Sequence, residues 1–191
     1  MQAQLPSIGC LVLVVGPSGA GKDTLLDFAR ERLSSDRSFR FVRRVVTRPA
    51  ASGEEHEPVT DQEFELRASS DAFALQWQAH GLRYGIPAIV TDWIDDGYVV
   101  VANGSRGIIR EAQSRLPAVH VVTVTAPQSV LAARLVARGR ESSTLIVDRL
   151  ARAHAFVPDE CPAYEIDNSR SLQEGGAALV RILRSIKALG R

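Results

Sequence analysis

The chain has 191 residues, 45% of them hydrophobic and 24% charged, a composition that fits one globular domain and excludes a disordered or low-complexity chain. Its 23 basic and 22 acidic side chains leave a formal charge of +1, so the basic excess of a dedicated nucleic-acid binder is absent. Two cysteines, Cys10 and Cys161, are too few for a disulfide scaffold or a zinc site, and Cys10 lies in an apolar run as a small buried hydrophobe does.

Residues 1–5 carry no basic region and no cleavage signature. The apolar run 8–15 is far too short to span a bilayer. The expectation is a cytoplasmic protein without a membrane partner. Residues 8–15 are apolar almost without interruption and predict a strand buried on both faces, as in a parallel sheet. A glycine-rich turn follows, then a helical pattern that puts Leu25, Leu26, Ala29 and Leu33 on one side. Residues 39–46 predict a second strand and 50–58 a polar, acidic loop. Asp61 is placed to cap a helix running to about Ala68. Short strands are predicted over 73–78 and 84–86 around the turn His80-Gly81-Leu82-Arg83, with a helix over 87–95 closed by Gly97. Further strands fall at 98–102, 120–124 and 164–166, and helices at 107–114, 127–137 and 144–155. Ser171 and Glu174 form a capping-box pattern ahead of a helix bearing Leu179, Ile182, Leu183 and Ile186, whose first turns Gly175 and Gly176 weaken.

Strands alternating with helices predict an α/β fold of three layers with a mostly parallel central sheet, in a single domain over 1–191. Ligands of such sheets sit at the carboxyl ends of the strands. There the sequence places Gly16-Pro17-Ser18-Gly19-Ala20-Gly21-Lys22-Asp23-Thr24, which fits G-x-x-x-x-G-K between a strand and a helix. Glycines let backbone N–H groups turn inward around a phosphate chain, the helix start adds unpaired donors, and Lys22 brings a point charge to the terminal phosphates. Only Lys22 and Lys187 are lysines among the 23 basic residues. The residue after the P-loop lysine is usually Ser or Thr, a magnesium ligand; here it is Asp23, with Thr24 behind it. A carboxylate is a good hard-oxygen ligand and would repel phosphates without the metal, so Mg²⁺ dependence follows. Whether Asp23 or Thr24 takes the metal stays open, since Asp23 is also suited to the helix start.

No aspartate with a recognisable motif offers itself as a base for a hydroxyl acceptor. An acceptor that is itself a phosphate needs none, because its second pKa of roughly 6 leaves it ionised at neutral pH. The task becomes holding several anions together, for which arginines are suited. Arg43, Arg44 and Arg48 follow the second strand, Arg83 lies beside Tyr84, and Arg106 follows Asn103 at a strand end. Arg134, Arg138, Arg140 and Arg149 surround a charged connection that could close over the phosphates. The four histidines show no metal-ligand spacing, and His56 falls near the acceptor region.

Through Gly16 to Thr24, Thr47-Arg48, Tyr84-Gly85 and the arginine-bearing lid, the chain resembles the guanylate kinase superfamily. Lys22-Asp23, the run Trp77-Gln78-Ala79-His80-Gly81-Leu82-Arg83-Tyr84-Gly85, Val101-Ala102-Asn103-Gly104-Ser105-Arg106 and Arg138-Gly139-Arg140-Glu141 make it similar to the ribose 1,5-bisphosphate phosphokinase family within it. The resemblance implies transfer of the γ-phosphoryl group of ATP, with Mg²⁺, to the 1-phosphate of ribose 1,5-bisphosphate. It implies ATP binding by Gly16 to Thr24, acceptor binding by Arg48, His56, Arg83, Tyr84, Asn103 and Arg106, and catalysis by Lys22, Arg138, Arg140 and Arg149. The acceptor region would span about 36–97 and the lid about 138–146. The acids with which guanylate kinases read guanine are missing: their places fall near Leu75 or Gln76 and within Asn103-Gly104-Ser105. Guanylate kinase activity and a non-catalytic binding module are the alternatives. The small-molecule partners are ATP and the sugar bisphosphate, with no nucleic acid, and the protein is expected as a monomer or homodimer.

Overall fold

The computed structural model describes residues 8–49, 55–137 and 163–190. Its central sheet has five strands, β1 (Cys10–Val15), β2 (Phe39–Phe41), β7 (Val99–Asn103), β8 (Val119–Thr125) and β9 (Ala163–Asp167), in the order β2-β7-β1-β8-β9. All pairings within it are parallel. Alternation along β1 sorts its side chains by face. Val12 and Val14 face α1 (Lys22–Arg32) and α6 (Leu172–Leu189), where they pack with Leu25, Leu179 and Leu183. Leu11, Leu13 and Val15 face α3 (Ile89–Asp95) and α4 (Ile109–Arg115), against Val90, Ile94 and Ile109. Helix–sheet–helix layering is therefore written in one uninterrupted apolar strand, since both of its faces are covered.

A second sheet of four strands, in the order β4-β3-β6-β5, comes from β3 (Arg44–Val46), β4 (His56–Pro58), β5 (Phe73–Ala79) and β6 (Leu82–Pro87). It has its own small core, Val45, Phe64 and Phe73, closed by α2 (Asp61–Ser69). Residues 39–46 do not form one strand: Phe41 ends in the central sheet, and Arg44 begins in the second. The Val42 amide still bonds to the Val101 carbonyl at 2.9 Å, so the chain leaves the first sheet between Val42 and Arg44. The β5–β6 hairpin turns at His80 and Gly81, both at positive φ (53° and 72°), the pairing that a tight hairpin turn demands. The cap of α2 is Thr60 rather than Asp61: its hydroxyl accepts from the Glu63 amide at 3.1 Å. α5 (Gln128–Ala137) follows β8. The expected helix over 144–155 lies outside the described residues.

Candidate active site

The loop after β1 turns on glycine. Gly16, Gly19 and Gly21 all have positive φ, and a Cβ at Gly16 would lie 2.2 Å from the Val124 carbonyl oxygen. No other residue fits there without displacing β8. The first turn of α1 starts at Lys22 with no side-chain cap, so its amides remain as donors. Lys22 donates through Nζ to the carbonyls of Gly16 (2.9 Å) and Pro17 (3.1 Å), folding its charge back over the mouth of the loop. A glycine-lined cradle, uncapped amides and a lysine at its rim fit a polyphosphate. The hard-oxygen carboxylate of Asp23, next along the helix, fits the Mg²⁺ such a ligand carries.

Two polar residues brace this loop from the far end of the sequence. Asn168, directly after β9 and 6% exposed, donates from Nδ2 to the Ala20 carbonyl at 2.7 Å. Arg134 of α5 donates to the Asn168 carbonyl at 2.8 Å and points a second nitrogen at the Gly19 carbonyl, 3.5 Å away. Asn168 carries no motif in the sequence, and Arg134, which the sequence groups with the lid, sits at the loop floor.

Asp23 joins the P-loop to the strands beside it. Its Oδ1 accepts from Asn103 Nδ2 at 2.6 Å and lies 3.5 Å from a guanidinium nitrogen of Arg44. Asn103 ends β7 and is 5% exposed; its own Oδ1 is buried with no partner among the described residues. The amide of Gly104 bonds to the Val14 carbonyl at 3.0 Å, which seats the β7 end against the β1 end. Thr24 is exposed on the same first turn of α1.

The acceptor-side residues divide. Tyr84 on β6 stacks on Trp77 of β5, centroids 5.2 Å apart and planes 7° from parallel. Arg48 follows β3 and is half-buried. His56 is 2% exposed, and its Nε2 donates to the Arg48 carbonyl at 3.1 Å, so the ring supports the backbone of Arg48. Arg83 is paired with Glu65 and lies 3.8 Å from Asp61, both on α2. Arg106 opens a short 3-10 turn after β7, and burial holds its guanidinium below the ordinary arginine range. Arg138, Arg140 and Arg149 lie outside the described residues. Cys10, buried at the start of β1, has its thiol pushed up to about 11 by burial, which leaves it protonated and inert.

A five-stranded parallel sheet with this loop at the end of its central strand defines the P-loop kinase fold class. The guanylate kinase of Anaplasma phagocytophilum superposes with a TM-score of 0.64 over 96% of this chain and 89% of that one, at 18% identity, a likeness of fold. The AAA domain family matches residues 11–159. The ribose 1,5-bisphosphate phosphokinase PhnN of Acidiphilium cryptum is 51% identical over 94% of both chains. The chain belongs to the PhnN ribose 1,5-bisphosphate phosphokinase family. The bifunctional ribose 1,5-bisphosphokinase-thymidine phosphorylase of Cupriavidus necator is 50% identical over 95% of this chain, which spans 30% of that longer protein.

Proposed function

We propose that the protein transfers the γ-phosphoryl group of ATP to the 1-phosphate of α-D-ribose 1,5-bisphosphate, giving 5-phospho-α-D-ribose 1-diphosphate and ADP. The observation that carries this reading is the 51% identity to a PhnN relative across 94% of both chains. The reaction forms one bond, from a 1-phosphate oxygen to Pγ, and breaks one, from Pγ to the β–γ bridging oxygen, whose electrons leave with ADP. No proton has to be abstracted, because the attacking phosphate is already ionised. The protein's work is positioning and charge neutralisation.

In this reading the loop from Gly16 to Thr24 takes the ATP phosphates, through its backbone N–H groups at every position but Pro17. Lys22 leaves the Gly16 and Pro17 carbonyls, to which it is now bonded, and follows the transferring group. Mg²⁺, held by Asp23 or Thr24, would screen the phosphate charge; Asn103 fixes the Asp23 carboxylate in place. Arg48 and Arg106 hold the acceptor, His56 positions Arg48 through its carbonyl, and the Tyr84–Trp77 stack forms a wall of the acceptor side. Arg83 serves the acceptor only if its pairing with Glu65 opens. Arg138, Arg140 and Arg149 supply the closing charges.

The setting is cytoplasmic, in phosphonate breakdown or synthesis of the diphosphate product. Among the described residues no helix is long and apolar enough to cross a membrane. The test is phosphorus NMR of purified protein with ATP, Mg²⁺ and ribose 1,5-bisphosphate. A new diphosphate product is expected from the wild type, and at least about 10³-fold less from Lys22→Ala, in line with the loss of a charge that contacts the transferring group. Turnover of GMP in place of the sugar would reject the reading.

A further inference from the structure

Counter-ions sort the arginines of the acceptor side. Arg83 is engaged by Glu65 and Asp61, Arg67 by Glu57 and Glu63, and Arg43 by the His56 carbonyl at 3.2 Å. Those partners all belong to the acceptor region itself. Arg44 reaches out of that region. It starts β3, yet its guanidinium lies 3.5 Å from Oδ1 of Asp23, on the P-loop helix and next to Lys22. The same guanidinium sits 5.8 Å from the centroid of the Tyr84 ring, and its side chain is 15% exposed. A charge so far out of water and held from two elements is pre-organised. It stands at the junction between the donor loop and the acceptor sheet, where the transferred group has to pass.

We propose that Arg44 binds the attacking 1-phosphate of the acceptor and holds it beside the donor loop. This rests on the kinase reading above. The guanidinium fork matches two phosphate oxygens at once, which a point charge does not. The Tyr84 face restrains its plane, and Asp23 keeps the cation in place before substrate arrives. Arg48 and Arg106, which follow other strand ends, take the second phosphate.

The test compares wild type, Arg44→Gln, Arg44→Lys and the double variant Asp23→Asn/Arg44→Gln. Steady-state kinetics are run on ribose 1,5-bisphosphate and on ribose 1-phosphate, with calorimetric titration of the bisphosphate. Arg44→Gln is expected to raise the acceptor KM about 10²-fold and leave the ATP KM within about twofold. The KM for ribose 1-phosphate, which carries the same attacking phosphate, should rise by a similar factor. Arg44→Lys should recover part of the acceptor KM, and the double variant, read by titration of the bisphosphate without nucleotide or metal, should recover none. An unchanged acceptor KM, an equal rise in the acceptor and ATP KM values, or full recovery in the double variant would overturn the proposal; the last would make Arg44 a counter-ion to Asp23 and nothing more. If Arg44→Gln does not fold by circular dichroism, Arg44→Lys carries the same comparison, because it keeps the charge and loses the fork. Wild-type protein inactive on ribose 1,5-bisphosphate sinks the kinase reading. Active wild type with an equally active Arg44→Gln sinks the Arg44 proposal alone.

Discussion

Asn168 has no charge and no motif, yet it ties two stretches of backbone and the Arg134 side chain together. Its amide nitrogen bonds to the Thr125 carbonyl at 2.8 Å, its carbonyl accepts from Arg134, and its side chain holds the Ala20 carbonyl. Asn168→Ala leaves a buried carbonyl in the P-loop without a donor. The expected cost is about 1–3 kcal/mol of stability, read as a lower urea midpoint, together with weaker binding of a non-hydrolysable ATP analogue. An unchanged midpoint and affinity would show that the loop holds its shape alone. The contrast with Lys22 explains what could be read beforehand. The phosphate loop is a contiguous run, so its chemistry and its spacing sit side by side in the sequence. Asn168 acts on a residue 148 positions away, inside the polar run Asp167-Asn168-Ser169 that looks like any strand end. His56 could be recognised as a residue near the acceptor, whereas the direction of its ring, toward the Arg48 carbonyl, is fixed by β3–β4 pairing that no local pattern encodes.

At the scale of elements, α6 shows where local propensity and packing disagree. Gly175 and Gly176 weaken the start of a helix that Ser171 and Glu174 cap reciprocally. The structure gives the reason: a Cβ on Gly176 would meet the Phe28 ring of α1 at 2.4 Å, and one on Gly175 would meet Asn168 Oδ1 at 2.6 Å. The helix comes close enough to α1 to bury Leu179 and Leu183 only because both side chains are missing. Gly176→Ala therefore pits about 1 kcal/mol of better helix propensity against overpacking of about 1–3 kcal/mol. The contacting atoms are at the root of the ring, so it cannot simply swing its tip away, and net destabilisation is expected in thermal melts. A stabilised variant would mean that α1 and α6 separate without loss. β1 and β7 of the central sheet were visible in sequence because burial on both faces leaves continuous apolar runs. The split of 39–46 between two sheets was not, since Phe-Arg-Phe-Val-Arg-Arg-Val-Val suits either a single strand or two. What decides is the partner of each half, β7 for Phe39–Phe41 and β6 for Val45 and Val46, and partners are non-local.

For the molecule as a whole, the central sheet presents its chemistry at one end and its acid sensitivity at the other. His120, near the start of β8, has a buried Nδ1 with no partner among the described residues, and its ring tilts against Tyr164 at 6.3 Å. It lines a cleft with Cys10 and Lys187, away from the P-loop end of the strands. Burial holds the imidazole below its ordinary value of 6.5. Below that value the unfolded chain takes up a proton that the folded ring resists, so the unfolded state binds more protons and stability drops as the pH falls. The loss starts near pH 6.5 and runs down to the point where the folded ring itself protonates; above 6.5 the ring contributes no slope. A second group acts at a lower pH. Asp36 is held below its ordinary 3.8, first by its hydrogen bonds from Lys187, at 2.8 and 3.0 Å. That contribution is present above 3.8 and is lost as the pH falls through the folded value, so the Asp36–Lys187 tie between the end of α6 and the chain ahead of β2 releases only in stronger acid. Urea midpoints measured from about pH 8 down to about pH 3 should fall in two stages. His120→Gln should flatten the first stage and spare the second, and Asp36→Asn should do the reverse. If His120→Gln keeps the full slope between about pH 6.5 and 5, the acid sensitivity lies in other groups and the half-buried imidazole is electrically silent.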